Sequence, residues 1–263
     1  MENHRIYNFS AGPSMLPLEA LTRAGAEITN YGGSGMSVME MSHRSKAFDR
    51  IFQDTKTKLR QLLQVPDSHE ILFLQGGAST QFSAVPLNLM GRTGKADYAV
   101  TGHFAQVAAK EAGKYGQVSL AADVSGENFT TIPAQEALRL DPGASYFYYC
   151  SNNTIYGTEW QYVPETGAVP LVCDMSSDIL SRPVDVSKYG IIFAGAQKNM
   201  APAGLTVVLI RKDLAGQELP YTPLMLSYQT MIKKDSMYNT PPCWCIYMLG
   251  LVLDWVAEQG GVA

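Results

Sequence analysis

Apolar residues recur along the chain in two alternating rhythms. Short, nearly unbroken apolar runs predict strands at 70–74, 97–101, 117–121, 145–150, 170–174, 191–194 and 205–211. Two of them, Ile71-Leu72-Phe73-Leu74 and Val207-Val208-Leu209-Ile210, are apolar on both faces, as a sheet covered on both sides by helices requires. Between them the spacing becomes helical. Over 45–65, Phe48, Ile51, Phe52, Leu59, Leu62 and Leu63 fall on one face, and 78–89, 104–115 and 244–258 are further helix candidates. Pro241-Pro242 stands before the last, where proline suits a helix start. Strand and helix in alternation predict an α/β domain.

The first forty residues break this rhythm. Ser10-Ala11-Gly12-Pro13 and Tyr31-Gly32-Gly33-Ser34-Gly35 predict an irregular arm around one short helix, of the kind that wraps a neighbouring surface or lines a site. The closing Gly260-Gly261-Val262-Ala263 reads as a hinge after a strong helix.

Composition removes several classes of function. Of the 263 residues 46% are hydrophobic and 17% charged, which excludes wholesale disorder and allows a large core. The net charge is -4 with Lys and Arg scattered singly, so no basic stripe exists for nucleic acid. The polar start Met1-Glu2-Asn3-His4-Arg5 has no signal-peptide core. The apolar stretch 246–256 is about half the ~20 residues of a membrane span, and Asp254 interrupts it. Cys150, Cys173, Cys243 and Cys245 suit neither a disulfide framework nor a zinc site. The expectation is a cytoplasmic protein with reduced cysteines.

Three stations fall at strand ends, where open α/β sheets bind ligands. Gln75-Gly76-Gly77-Ala78-Ser79-Thr80 joins a strand to a helix, and its small residues let backbone N–H groups approach an anion. Asp174 closes 170–174, and Lys198 follows 191–194 within Ala194-Gly195-Ala196-Gln197-Lys198-Asn199. Singly, each has a plainer reading: turn glycines, a helix-capping carboxylate, a solvated lysine. Together they match what pyridoxal 5'-phosphate (PLP) needs: a carboxylate for the ring nitrogen, a lysine for the imine and N–H groups for the phosphate.

Longer motifs then point to one family. Asn8-Phe9-Ser10-Ala11-Gly12-Pro13, Gly35-Met36-Ser37-Val38-Met39-Glu40-Met41-Ser42-His43-Arg44, the segment from Asp174 to Pro183, Gly195-Ala196-Gln197-Lys198-Asn199 and Tyr238-Asn239-Thr240-Pro241-Pro242 resemble phosphoserine aminotransferases across essentially the whole chain. The resemblance implies a fold-type-I PLP-dependent transferase large domain, a mostly parallel seven-stranded sheet with helices on both faces. It implies Lys198 as the PLP lysine and Asp174 as the partner of the pyridine nitrogen. Ala78, Ser79 and Gln197 match the phosphate site, Thr154 the neighbour of the 3-hydroxyl, and Phe104 an aromatic stacked on the ring, where many members have Trp. Asn239 and Thr240 match residues that reach the phosphate of the neighbouring subunit, implying a homodimer with shared sites. His43 and Arg44 match the substrate-anion pair. The implied reaction moves an amino group from glutamate to 3-phosphohydroxypyruvate, giving phosphoserine in serine biosynthesis.

In the resembled family a C-terminal domain of about a hundred residues follows, with another His-Arg pair and an Arg for the substrate α-carboxylate. The expected organisation here is an arm (1–15) and a PLP-binding large domain (16–263) without that small domain, binding PLP but transaminating slowly. Two other readings stand beside it: another class V aminotransferase or cysteine desulfurase, and a catalytically silent PLP-binding fragment. A desulfurase needs a reactive cysteine on a mobile loop, and none of the four is placed so.

Overall fold

All seven expected strands form, with bounds that move by at most two residues. The computed structural model describes residues 5–262; Met1–His4, the start of the expected arm, and Ala263 lie outside them. In chain order the elements are α1 (Leu18–Glu27), α2 (Lys46–Leu62), β1 (His69–Leu74), α3 (Gly77–Leu89), β2 (Lys95–Val100), α4 (His103–Ala112) and β3 (Gln117–Asp123). They continue with β4 (Phe147–Cys150), β5 (Asn152–Asn153), β6 (Thr158–Glu159), β7 (Leu171–Asp174), β8 (Ile191–Gly195), β9 (Thr206–Arg211), α5 (Tyr228–Lys233) and α6 (Cys243–Glu258).

The main sheet has seven strands in the order β1-β9-β8-β7-β4-β2-β3. The β3–β2, β2–β4, β4–β7 and β7–β8 pairs are parallel, whereas β9 runs antiparallel to both β8 and β1. The sheet is therefore mostly parallel, and six of its seven strands end at the same edge. Side chains alternate along each strand and feed two cores. Phe73, Tyr149, Cys173 and Ile192 pack with α1, α2 and α6, while Leu72, Tyr148, Val172 and Phe193 pack with α3, α4 and α5. Doubly apolar strands follow from burial on both faces.

Local chemistry sets the ends of these elements. Ser45 caps α2, its Oγ accepting from the Phe48 N–H at 3.2 Å. The α2–α6 contact is close because Gly250 has no side chain; a Cβ there would meet Thr55 Oγ1 at 2.6 Å. Gly260 and Gly261 take left-handed backbone, and the Gly261 N–H donates to Val256 O at 2.9 Å, so the expected hinge is the cap of α6. Residues 5–17 hold no helix or strand. Among the described residues, no helix is long and apolar enough to cross a membrane.

Candidate active site

The shared carboxyl edge of the sheet gathers the three stations. β7 delivers Asp174, 4% exposed, in its last position. Its Oδ1 accepts from the Ser176 N–H at 2.9 Å and from the Ser176 hydroxyl at 2.6 Å. Burial pushes this carboxyl above its ordinary pKa, while the two Ser176 donors and the Lys198 ammonium draw it back down. Among the described residues Oδ2 has no protein hydrogen-bond donor, and Asp174 lines a cleft shared with Lys198.

Lys198 lies in the connection between β8 and β9. Its Nζ donates to Thr154 Oγ1 at 2.6 Å and stands 5.1 Å from the centroid of the Phe104 ring. The backbone around it is tied down: Ala196 N–H to Leu205 O at 3.0 Å, Met200 N–H to Ala196 O at 3.0 Å, and Asn199 Nδ2 to Ile179 O at 2.6 Å. The arm closes over this loop. Ser14 N–H donates to Gln197 O at 2.9 Å, and the Ser14 hydroxyl donates to Lys198 O. Gly12 crosses the lysine stem so closely that a Cβ on it would meet Lys198 Cγ at 2.8 Å.

The third station is the entry to α3. Gly76 turns the chain with φ 92°, and a Cβ there would strike Thr80 Oγ1 at 2.0 Å, so glycine is needed twice over. No side chain caps α3, which leaves its first-turn N–H groups facing outward beside Ala78 and Ser79. A helix start of this kind favours an anion. A cleft of about 120 Å³ joins Ala78, Ser79, Phe104, Asp174, Gln197 and Lys198. A larger hollow of about 310 Å³ lies between Gln75, Tyr228 and Asn239, but Tyr228 is its only ionisable lining, and burial holds that phenol protonated. The smaller cleft is lined by both Asp174 and Lys198.

Six expected residues meet in that cleft, and Thr154 touches Lys198 at its edge. His43, Arg44, Asn239 and Thr240 are not among the cleft's lining. Arg44 is exposed, and His43 Nε2 is buried without a partner among the described residues. Asn239 borders the larger hollow, and Thr240 O accepts from Gln75 Nε2 at 2.9 Å. Sequence reasoning missed Ser176, Ser177, Asn152 and Cys150 in the lining, and Gly12 and Ser14 above it. The Asp174-Met175-Ser176 spacing, which suits a local carboxylate turn, was a usable signal for Ser176.

Residues 6–263 match the family model described as aminotransferase class-V. A phosphoserine aminotransferase from Laribacter hongkongensis is 55% identical over 257 residues, covering 98% of this chain and 71% of that protein. The chain belongs to the phosphoserine aminotransferases of class V. A Bacillus cereus phosphoserine aminotransferase is 52% identical over 98% of this chain and 72% of its own length. Among solved structures, the phosphoserine aminotransferase of Bacillus circulans subsp. alkalophilus superposes with TM-score 0.95 at 46% identity, covering 98% of this chain and 72% of that one. The PLP-bound phosphoserine aminotransferase of Trichomonas vaginalis gives TM-score 0.94 at 44% identity, with 98% and 73% covered. The resemblance read from the motifs, and the fold it implied, hold.

Proposed function

We propose that this phosphoserine aminotransferase exchanges an amino group between glutamate and 3-phosphohydroxypyruvate, giving O-phosphoserine and 2-oxoglutarate, with PLP held in the Lys198 cleft. The observation behind this is the meeting of Asp174, Lys198 and the uncapped start of α3 in one cleft. The donor set fits the cofactor. Asp174 has one oxygen bound by Ser176 and the other left for a protonated ring nitrogen. Gly77, Ala78, Ser79 and Gln197 stand where a phosphate needs N–H donors, and Phe104 offers a ring face. When bound, PLP supplies the electron sink that makes the substrate Cα–H acidic.

The chain's own residues do the rest. Lys198 Nζ takes the proton from the substrate Cα and later returns one, and the Thr154 hydroxyl at 2.6 Å holds that nitrogen in place. Asp174, itself buried, would hold a proton on the ring nitrogen by an ionic hydrogen bond. Both half-reactions use one cleft, so the kinetics are ping-pong. His43 and Arg44 take a substrate anion, and Asn239 and Thr240 complete the phosphate site of a second subunit. Their position outside their own chain's cleft supports that division. Exposed Tyr7, Phe9, Met39, Leu224 and Tyr238 supply apolar surface for such a homodimer. We assign 1–15 to the arm and 16–263 to the PLP-binding large domain. All four cysteines are free, which suits the reducing cytoplasm. The test is borohydride reduction with PLP followed by peptide mapping. Label on Lys198 is expected, and label confined to any other lysine overturns the assignment.

A further inference from the structure

The geometry points to Ser176 as the positioning residue of the site: its hydroxyl is a directed donor that fixes which oxygen of Asp174 faces the cofactor and ties that carboxylate to the end of the strand that leads into Lys198. The inference rests on Asp174 being the partner of the PLP ring nitrogen.

A serine hydroxyl has one hydrogen and two lone pairs. The Gly195 N–H, at the end of β8, donates to Ser176 Oγ at 2.9 Å. That bond leaves the hydroxyl hydrogen free to go to Asp174 Oδ1, 2.6 Å away. Ser176 is 5% exposed, so no bulk water competes for either bond. With Oδ1 also accepting the Ser176 backbone N–H at 2.9 Å, rotation of the carboxyl is blocked, and Oδ2 is left for the cleft. The same hydroxyl spans β7 and β8, adding to the Met175 N–H to Phe193 O bond at 2.9 Å. The segment from Gly195 to Lys198 is thereby fixed relative to Asp174. The neighbouring Ser177 has no such role: its one hydroxyl hydrogen is shared between Asn152 O and Oδ1, each 3.1 Å away.

The experiment separates orientation of Asp174 from general support of the fold. Calorimetric binding is measured for PLP and for its analogue with CH in place of the ring nitrogen, with the parent chain, Ser176→Ala and Ser176→Cys. Cysteine is near in size to serine but a weak donor, so it covers the case in which the alanine variant fails to fold. The parent prefers PLP because only PLP engages Asp174. Losing a hydrogen bond to a charged group cuts that preference about tenfold or more in Ser176→Ala and Ser176→Cys. Equal weakening of both ligands, with the preference intact, overturns the role of Ser176 and leaves Asp174 untouched. A parent chain with no preference instead overturns the assignment of Asp174 itself.

Discussion

Replacing Asp174 by Asn should slow the reaction and stabilise the cofactor-free fold at once. In the structure Oδ1 accepts two bonds from Ser176, so the amide of Asp174→Asn must keep its oxygen there and turn its NH₂ toward the cleft. An amide donor facing a protonated ring nitrogen is repelled, and the nitrogen gives up its proton. Losing a preorganised charge of this kind costs ~3–4 kcal/mol, or about 10²–10³ in the half-reaction with glutamate. Stability moves the other way. Burial raises the Asp174 pKa, so below its unfolded value this group costs the fold nothing, and stability is lost as pH rises through the folded value. The variant escapes that loss. Its cofactor-free form should melt higher than the parent's near neutral pH, by a margin that shrinks toward acid. Stopped-flow absorbance with excess glutamate reads the first effect, and thermal melts across pH the second. A half-reaction faster than about a tenth of the parent rate refutes the electrostatic role.

The remaining predictions concern close approaches. Gly12→Ala places a Cβ 2.8 Å from Lys198 Cγ, so it should slow PLP attachment by about tenfold while leaving the urea midpoint nearly unchanged; unaltered attachment kinetics would count against the arm's contact. Phe104→Ala removes the ring face beside Lys198 Nζ and should weaken PLP retention by about tenfold, measured by dialysis and absorbance. Gly250→Ala forces a contact of 2.6 Å with Thr55 Oγ1 between α2 and α6 and should cost ~1–3 kcal/mol in urea unfolding.

The strands were legible because burial on both faces leaves an apolar run whichever way each residue points; Leu72 and Phe73 enter opposite cores, yet both must be apolar. The β5–β6 ribbon and the short helix α5, Tyr228–Lys233, were not, because elements of that length show no period. Lys198 and Asp174 were visible as polar residues closing apolar strands. Ser176 was not visible as a tether between them, because its bond to Gly195 depends on the lateral register of β7 and β8. The same holds for Gly12, which meets Lys198 across a separation no local pattern encodes. His43, Arg44, Asn239 and Thr240 were read from motif alone, and one chain does not assemble them around Lys198.

The antiparallel step from β8 to β9 bears on how fast the lysine can shuttle. Both ends of its loop are stitched to adjacent strands, from Gly195 paired with Thr206 to the bond between Ala196 N–H and Leu205 O. The main chain at Lys198 is therefore a fixed pivot, and the ammonium reaches its stations only by turning about the bonds of its own four-carbon stem. Such rotamer hops take picoseconds to nanoseconds, whereas turnover in enzymes of ordinary speed takes milliseconds or longer. The Nζ journey then needs no movement of the main chain. A slow step in the cycle is then set by the bond-making and bond-breaking chemistry or by the arrival and departure of substrates, and not by movement of this loop's main chain.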